Sequence, residues 1–156
     1  MSQVEAARPL FIDTGAFFAR FNERDEHHEW AVAIFEAIAD GNLPYRPLYT
    51  SGYVLSELAT LSQRKAGHSE AVEVLNRASE SPHIRVIHPA ASAFDATREE
   101  FERYDDQGIT FVDHLSAVLA RERDVSHVFT FDGRDFRKFD AGFTLVPDDV
   151  EVPQHD

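Results

Sequence analysis

The chain has 156 residues, 43% of them hydrophobic and thirteen of them Phe, and a formal net charge of −13. This length and composition predict a single folded domain over residues 1–156 and exclude a disordered chain. The chain has no cysteine, which excludes disulfides, thiolate metal ligands and a cysteine nucleophile. No apolar run approaches the roughly 18 residues of a membrane span, and the N-terminal residues lack the apolar region of a signal peptide, so we expect a cytoplasmic protein.

The negative charge is spread along the whole chain. There are 28 Asp and Glu against 15 Lys and Arg, and only two of these basic residues are lysines, Lys65 and Lys138. An acidic excess without an acidic tail favours halophilic adaptation over chance acidity. At about 1 M salt the Debye length is about 3 Å, so the overall charge would not prevent binding to nucleic acid.

Halophilic adaptation predicts that the thermal midpoint of unfolding rises between low and molar KCl, because salt screens the repulsion among the acids. Thermal unfolding followed by circular dichroism at several KCl concentrations measures this dependence. A midpoint that stays constant or falls would contradict the halophilic interpretation.

Short apolar runs alternate with amphipathic stretches along the chain. The predicted elements are, in order, a strand at 10–12, a helix at 16–21, a helix at 28–39, a strand at 48–50, a helix from a cap at Thr50 or Ser51 to Gly67, a helix at 69–80, a strand at 84–87, a helix at 91–104, a helix at 111–123 capped by Thr110, a strand at 128–130, a short helix around Phe136 and Phe139, and a strand at 143–146. The strands are apolar without alternation, which is typical of a parallel sheet covered by helices on both faces. The predicted fold class is therefore α/β, with a central parallel sheet of four to five strands.

Four carboxylates lie where an acid is costly unless its charge is offset. Asp13 ends the first strand, Glu57 lies beside the apolar stripe of a helix, Asp113 lies in the first turn of another helix, and Asp132 follows a strand. They are 44, 56 and 19 residues apart, so they do not share one local surface. Because ligands bind beyond the carboxyl ends of parallel strands, we predict that the acids converge there in an anionic pocket.

Each acid also has an ordinary structural interpretation. Asp13 could occupy a turn or cap a helix, Glu57 could be a surface residue, and Asp113 could interact with the helix dipole. Asp132 could belong to a turn, and Asp135 within the same turn competes with it as a ligand. Local sequence leaves these alternatives open.

Taken together, the acids fit a site for a hard cation. Oxygen-only ligands suit Mg²⁺ or Mn²⁺, which keep several waters and share substrate phosphates. One or two such ions could orient and deprotonate water for attack at a phosphodiester, without a protein nucleophile. The hydroxyl of Thr14 beside Asp13 could hold a metal-bound water or a phosphate oxygen, or it could cap the following helix.

The segments that carry the acids resemble those of the PIN-domain nucleases, and most of all the small stand-alone VapC-type toxins, from about residue 8 to 146. These segments are Phe11-Ile12-Asp13-Thr14, Val54-Leu55-Ser56-Glu57-Leu58, Phe111-Val112-Asp113 and Phe129-Thr130-Phe131-Asp132. The resemblance implies a three-layer PIN-like fold, Mg²⁺- or Mn²⁺-dependent cleavage of RNA, a homodimer, and a small antitoxin protein as partner.

Carried across residue by residue, the resemblance makes Asp13, Glu57, Asp113 and Asp132 the catalytic acids. Asp13, Asp113 and Asp132 would bind the metal, and Glu57 would bind it directly or through a water. Thr130 matches the polar residue that often precedes the last acid, and it is a candidate contact to the substrate.

The chain departs from the family pattern after the last acid. Phe136 lies four residues after Asp132, where related sequences commonly have a spacing of three. A one-residue insertion at Gly133 would explain the difference. Asp135 is therefore an additional candidate ligand, which could join Asp132 or replace it.

An RNA substrate needs some positive contacts even on an acidic protein. The candidates beside the last acid are Arg134, Arg137 and Lys138. Basic residues near a helix end could equally interact with the helix dipole. Because these residues border the predicted site, we interpret them as contacts to RNA phosphates.

Three other functions compete with a toxin nuclease. A housekeeping PIN nuclease that processes RNA would use the same chemistry without an antitoxin. A non-catalytic PIN-like module would use the acidic pocket for protein contacts, although the presence of all four acids opposes it. A phosphotransferase with Asp13 as nucleophile would want a second Asp two residues later, where the chain has Gly15.

Overall fold

The computed structural model of the protein describes residues 6–105, 108–131, 136, 139 and 142–148. Strands and helices alternate along this part of the chain. They are β1 (Arg8–Ile12), α1 (Thr14–Phe21), α2 (His28–Ala39), β2 (Tyr45–Ser51), α3 (Gly52–Ala66), α4 (His68–Ser79), β3 (Ile84–Ile87), α5 (Ala91–Arg103), α6 (Phe111–Glu122), β4 (His127–Phe129) and β5 (Thr144–Val146). Each predicted strand, and each predicted helix up to residue 123, is confirmed with small shifts at its ends.

The strands form one parallel sheet in the order β3-β2-β1-β4-β5, which confirms the predicted fold class. From β1 the chain adds β2 and then β3 on one side of β1, and afterwards crosses back to place β4 and β5 on the other side. Because the crossovers are right-handed, the helices that connect β1 to β3 and the helices that follow β3 lie on opposite faces of the sheet. The connections leave β1 and β4 in opposite directions, so the carboxyl ends of these two strands border the crevice where open α/β sheets bind ligands.

Capping side chains mark the beginnings of α3 and α6. Ser51 Oγ accepts a hydrogen bond from the backbone N–H of Val54 at 3.1 Å, so Ser51 is the cap of α3. The hydroxyl of Thr50, the other predicted cap, instead donates a hydrogen bond to Ile12 O at 2.9 Å and links β2 to β1. Thr110 caps α6 as predicted, and caps of this kind contribute about 1 kcal/mol each.

Strand β2 is longer than its apolar residues predict. It begins at Tyr45, opposite Arg8, and Leu48 pairs with Leu10, so β2 contains one more residue than β1 over this stretch. Pro47 lies in the resulting irregularity, where its missing N–H does not break a regular ladder. Pairing with β1 therefore extends the strand beyond its apolar core.

The core lies on both sides of the sheet. Residues 10–12 of β1 and both Val128 and Phe129 of β4 are completely buried, as expected for strands that helices cover on two faces. Among the residues described, no helix combines the length and apolar character that crossing a membrane requires. The short helix predicted around Phe136 and Phe139 lies mostly outside the described residues, but these two phenylalanines are buried.

Candidate active site

Asp13 and Thr130 occupy equivalent positions at the ends of neighbouring strands. Asp13 directly follows β1 and Thr130 directly follows β4, after the paired residues Ile12 and Phe129. The backbone N–H of Asp13 donates to Phe129 O at 3.0 Å, and Thr130 Oγ1 donates to Asp13 Oδ2 at 3.0 Å. Two predicted site residues that are 117 positions apart therefore meet at the crevice between β1 and β4.

The carboxylate of Asp13 does not cap a helix. Asp13 lies at the N-cap position of α1, but its side chain makes no capping hydrogen bond. One carboxylate oxygen accepts from Thr130, and the other, Oδ1, is buried and has no hydrogen-bond partner among the described residues. Without a capping hydrogen bond the capping interpretation is wrong, and because an unpaired buried oxygen is costly we expect Oδ1 to bind a ligand.

The pKa of Asp13 is raised from 3.8 to about 7, chiefly by burial. The negative charge of Asp113 contributes to this rise, as does that of Glu57 to a smaller extent, whereas the Thr14 N–H and the Thr130 hydroxyl oppose it. Two of the other three predicted acids therefore act electrostatically on Asp13.

A capping box holds the carboxylate of Asp113 in place. Its Oδ2 atom accepts from the Thr110 N–H at 3.1 Å, and Thr110 Oγ1 accepts from the Asp113 N–H at 3.2 Å. The structural and functional interpretations of Asp113 are thus compatible. The cap that stabilises α6 also positions a half-buried carboxylate whose charge reaches Asp13.

Glu57 and Thr14 complete the described part of the pocket. Glu57 is half-buried on α3, beside the completely buried Leu58. Thr14 is buried at the start of α1, and its Oγ1 atom has no hydrogen-bond partner. A hydroxyl and a carboxylate oxygen are therefore left unsatisfied on the adjacent residues 13 and 14, within the part of the chain described.

The remaining predicted site residues lie outside the described part of the chain: Asp132, Asp135, Arg134, Arg137 and Lys138. Over the described residues alone, no group of three or more His, Asp or Glu side chains is arranged to hold a metal ion. The catalytic and metal-binding roles of the four acids stay predictions.

An aromatic stack beside Thr130 has no signal in the sequence. The rings of Phe131 and His27 are nearly parallel, with an interplanar angle of 6° and centroids 4.6 Å apart. Trp30, the one tryptophan of the chain, lies tilted against Phe131 at 5.8 Å. His27 and Phe131 are far apart in sequence, so only the fold brings this stack to the edge of the acidic pocket.

The comparisons with known proteins agree with this architecture. The PIN domain family matches residues 10–142 of the chain. The 23S rRNA-specific endonuclease VapC20 of Mycobacterium tuberculosis is 31% identical over 139 residues, which cover 88% of this chain and 97% of that protein. A VapC ribonuclease of Archaeoglobus fulgidus is 30% identical over 112 residues, covering 71% of this chain and 69% of that protein.

Solved structures share the fold. The crystal structure of Mycobacterium tuberculosis VapC20, a sarcin-ricin loop cleaving toxin, has a TM-score of 0.71 at 29% identity and covers 86% of this chain and 96% of its own. The structure of VapBC2 from Rickettsia felis, bound to a promoter DNA fragment, has a TM-score of 0.61 at 18% identity over 87% of this chain and 96% of its own, a likeness of fold alone. With this fold, this site and these relatives, the chain belongs to the PIN-domain family and, within it, to the VapC-type ribonucleases.

Proposed function

We propose that this protein is a Mg²⁺- or Mn²⁺-dependent endoribonuclease and the toxin of a type II toxin–antitoxin pair. The observation that carries the proposal is the environment of Asp13. This buried carboxylate has a raised pKa and an oxygen that no described residue pairs with, and it lies with two further acids at the crevice between β1 and β4. The names of the two relatives at 30% identity or more, an endonuclease and a ribonuclease, support the same chemistry.

The chemistry of the described acids suits a hard divalent cation. The candidate ligands are all oxygens, which Mg²⁺ and Mn²⁺ prefer, and Asp13 Oδ1 has no hydrogen-bond partner within the described ranges. A dication would also relieve the repulsion that Asp113 and Glu57 exert on Asp13. We infer that Asp13, Asp113 and Asp132 hold the ion, that Glu57 binds it directly or through a water, and that Asp135 is the alternative to Asp132.

The described residues of the site would each contribute to phosphodiester hydrolysis. When bound, the ion lowers the pKa of water and neutralises charge on phosphate oxygens. Thr130 engages one oxygen of Asp13 and leaves the other for a ligand. Thr110 anchors Asp113 through the capping box, and Thr14 offers a buried hydroxyl and the N-terminal end of α1 to a phosphate oxygen.

Ribosomal RNA is the substrate that we expect. VapC20, which is named as specific for 23S rRNA and as cleaving the sarcin-ricin loop, aligns with this chain over 97% of its length. A housekeeping nuclease would use the same site without an antitoxin. A small gene that overlaps this one just upstream would favour the toxin.

We also propose two protein partners, a small antitoxin and a second copy of this chain, because the chain is of the VapC type.

The dimer interface is assigned to a row of four aromatic rings on α3, α5 and α6. Successive ring centroids are 6.2, 5.3 and 5.6 Å apart in the order Tyr53, Phe94, Phe111 and Phe101. Tyr53 is 38% exposed and Phe101 46% exposed, and such exposed apolar groups are typical of interfaces. Light scattering tests this assignment: a Phe101→Asp variant that is still dimeric would contradict it.

Cleavage of 23S rRNA by the purified protein in high-KCl buffer tests the proposed activity. The reactions contain Mn²⁺, Mg²⁺ or EDTA, and an identically purified Asp13→Asn variant controls for contaminating ribonuclease. We expect cleavage with either ion and none with EDTA or with the variant. Equal cleavage by both proteins would contradict the proposed site, and no cleavage by the wild type with either ion would contradict the nuclease.

Removal of the Thr130 hydroxyl tests whether this residue positions Asp13. In Thr130→Val, Asp13 Oδ2 loses the hydrogen bond that holds it and the pKa of Asp13 rises. We expect RNA cleavage to fall about 10- to 100-fold, as for other residues that orient metal ligands. Thr97→Val is the matched control, because Thr97 is also buried and donates to Ala93 O within α5 at 2.8 Å. Equal activity of the two variants would contradict the role of Thr130.

A further inference from the structure

Two arginines on different helices share one phenylalanine. Arg77 of α4 lies over the ring of Phe21, with its Cζ 4.8 Å from the ring centroid. Arg20 of α1 lies 5.8 Å from the same centroid and 5.3 Å from that of Phe35 on α2. We call Arg20 and Arg77 the arginine pair.

No described carboxylate forms an ion pair with the arginine pair. Within the described part of the chain, neither guanidinium makes a hydrogen bond or an ion pair. Burial lowers the pKa of Arg20, the charge of Arg77 lowers it further, and Glu36 opposes this effect without forming an ion pair. Glu73, one turn before Arg77 on α4, would be its usual helical partner. The absence of pairing is unexpected in a chain with 28 acids.

The position of the two guanidinium groups suits an anion. A ring contact satisfies none of the N–H donors of a guanidinium, so these donors stay available to an anion. Both groups contact the ring of Phe21 and the charge of Arg77 acts on Arg20, so the two lie near enough to attract the same phosphate, which Arg binds through charge-assisted hydrogen bonds. Two like charges that repel one another in the free protein are stabilised when an anion binds to both.

We propose that the arginine pair binds a phosphate of the RNA strand outside the catalytic pocket. This inference rests on the proposed nuclease function. Helix α1 begins next to Asp13, and Arg20 lies about 10 Å further along its axis at 1.5 Å per residue. An RNA strand that enters the pocket can therefore also reach the pair. Because phosphate contacts carry no base information, the pair contributes affinity rather than sequence selectivity.

The salt dependence of RNA binding tests the arginine pair, because its slope reports the number of phosphate contacts. Binding of a labelled 23S rRNA fragment is measured by fluorescence anisotropy over a range of KCl concentrations in EDTA. All proteins carry Asp13→Asn so that the RNA stays intact. Arg77→Gln changes an exposed side chain and leaves the core untouched, and Arg20→Gln is added to it in a second protein. The control is Arg98→Gln, because Arg98 is exposed but already paired with Asp95 at 3.6 Å.

We expect the slope of log K against log [KCl] to become less steep by about 0.7 when both arginines are replaced and the phosphate contact is lost, and by part of this amount in Arg77→Gln alone. The loss of affinity should be the same on RNAs of unrelated sequence, and Arg98→Gln should leave the slope unchanged. Equal slopes for Arg77→Gln and Arg98→Gln would overturn the inference and leave an acidic protein segment as the ligand to consider. Failure of the nuclease itself would be visible separately, as absence of metal-dependent cleavage by the wild type.

Discussion

The Asp13→Asn variant is expected to lose RNA cleavage and, without metal, to be more stable than the wild type above pH 7. Cleavage should fall more than about 100-fold, because removing a ligand costs more than the 10- to 100-fold loss of its hydrogen-bond partners. Asparagine keeps an oxygen that can accept from Thr130 but removes the charge that Asp113 and Glu57 repel.

The stability gain depends on pH in a defined direction. The pKa of Asp13 is raised from 3.8 to about 7, so between these values the folded protein keeps a proton that the unfolded chain has released. The stability of the wild type therefore falls as the pH rises through this window and becomes constant above it. One pKa unit corresponds to about 1.4 kcal/mol, so the variant should gain up to about 4 kcal/mol at pH 8 and almost nothing at pH 4.

Urea unfolding in EDTA at pH 4, 6 and 8 measures this gain. Asp95→Asn is the matched control, because it removes the same charge from an exposed position on α5. If Asp95→Asn stabilised the protein as much as Asp13→Asn at pH 8, general charge repulsion rather than the pocket would be the cause. An Asp13→Asn protein that still cleaves RNA would contradict the proposed mechanism.

The affinity for Mn²⁺ is expected to fall about tenfold for each pH unit below 7 and to be nearly constant above it. A metal ligand must be deprotonated, and below about pH 7 the ion competes with the proton on Asp13. RNA cleavage at subsaturating Mn²⁺ should decrease in parallel.

Calorimetric titration with Mn²⁺ in two buffers of different ionisation enthalpy measures the released protons. About one proton per ion should be released at pH 6 and almost none at pH 8.5. Asp13→Asn should bind weakly at both values and release no proton from this position. A wild-type affinity that does not change between pH 6 and pH 8 would show that Asp13 is not a ligand.

Much of the fold could be predicted because its signals are local. The continuous apolar run at residues 10–12 predicts a strand covered on both faces, and these residues are completely buried. Thr110 precedes an amphipathic stretch and caps α6 through its own neighbours. The sequence patterns that indicate buried apolar segments and helix caps each span only a few neighbouring residues, so they can be recognised in a single sequence.

The function of individual polar residues could not be predicted in this way. An Asp after a strand has the same local sequence whether it caps a helix or binds a ligand. Only the folded structure shows that the Asp13 side chain makes no capping hydrogen bond and instead accepts from Thr130, 117 residues away. Pro47 remains inside β2 because pairing with β1 accommodates it. The arginine pair could not be predicted either, because its two residues lie on α1 and α4, which are separated by α2, β2 and α3 in the sequence.

Apolar periodicity, caps and the order of the acids thus determined the α/β class and the family of this chain before its structure was considered. The tertiary structure decided the neighbouring positions of β1 and β4, the raised pKa of Asp13, and the contact of Arg20 and Arg77 with one phenylalanine ring. Desolvation and Coulomb energies depend on distances between groups that are remote in sequence, and only the folded chain sets those distances.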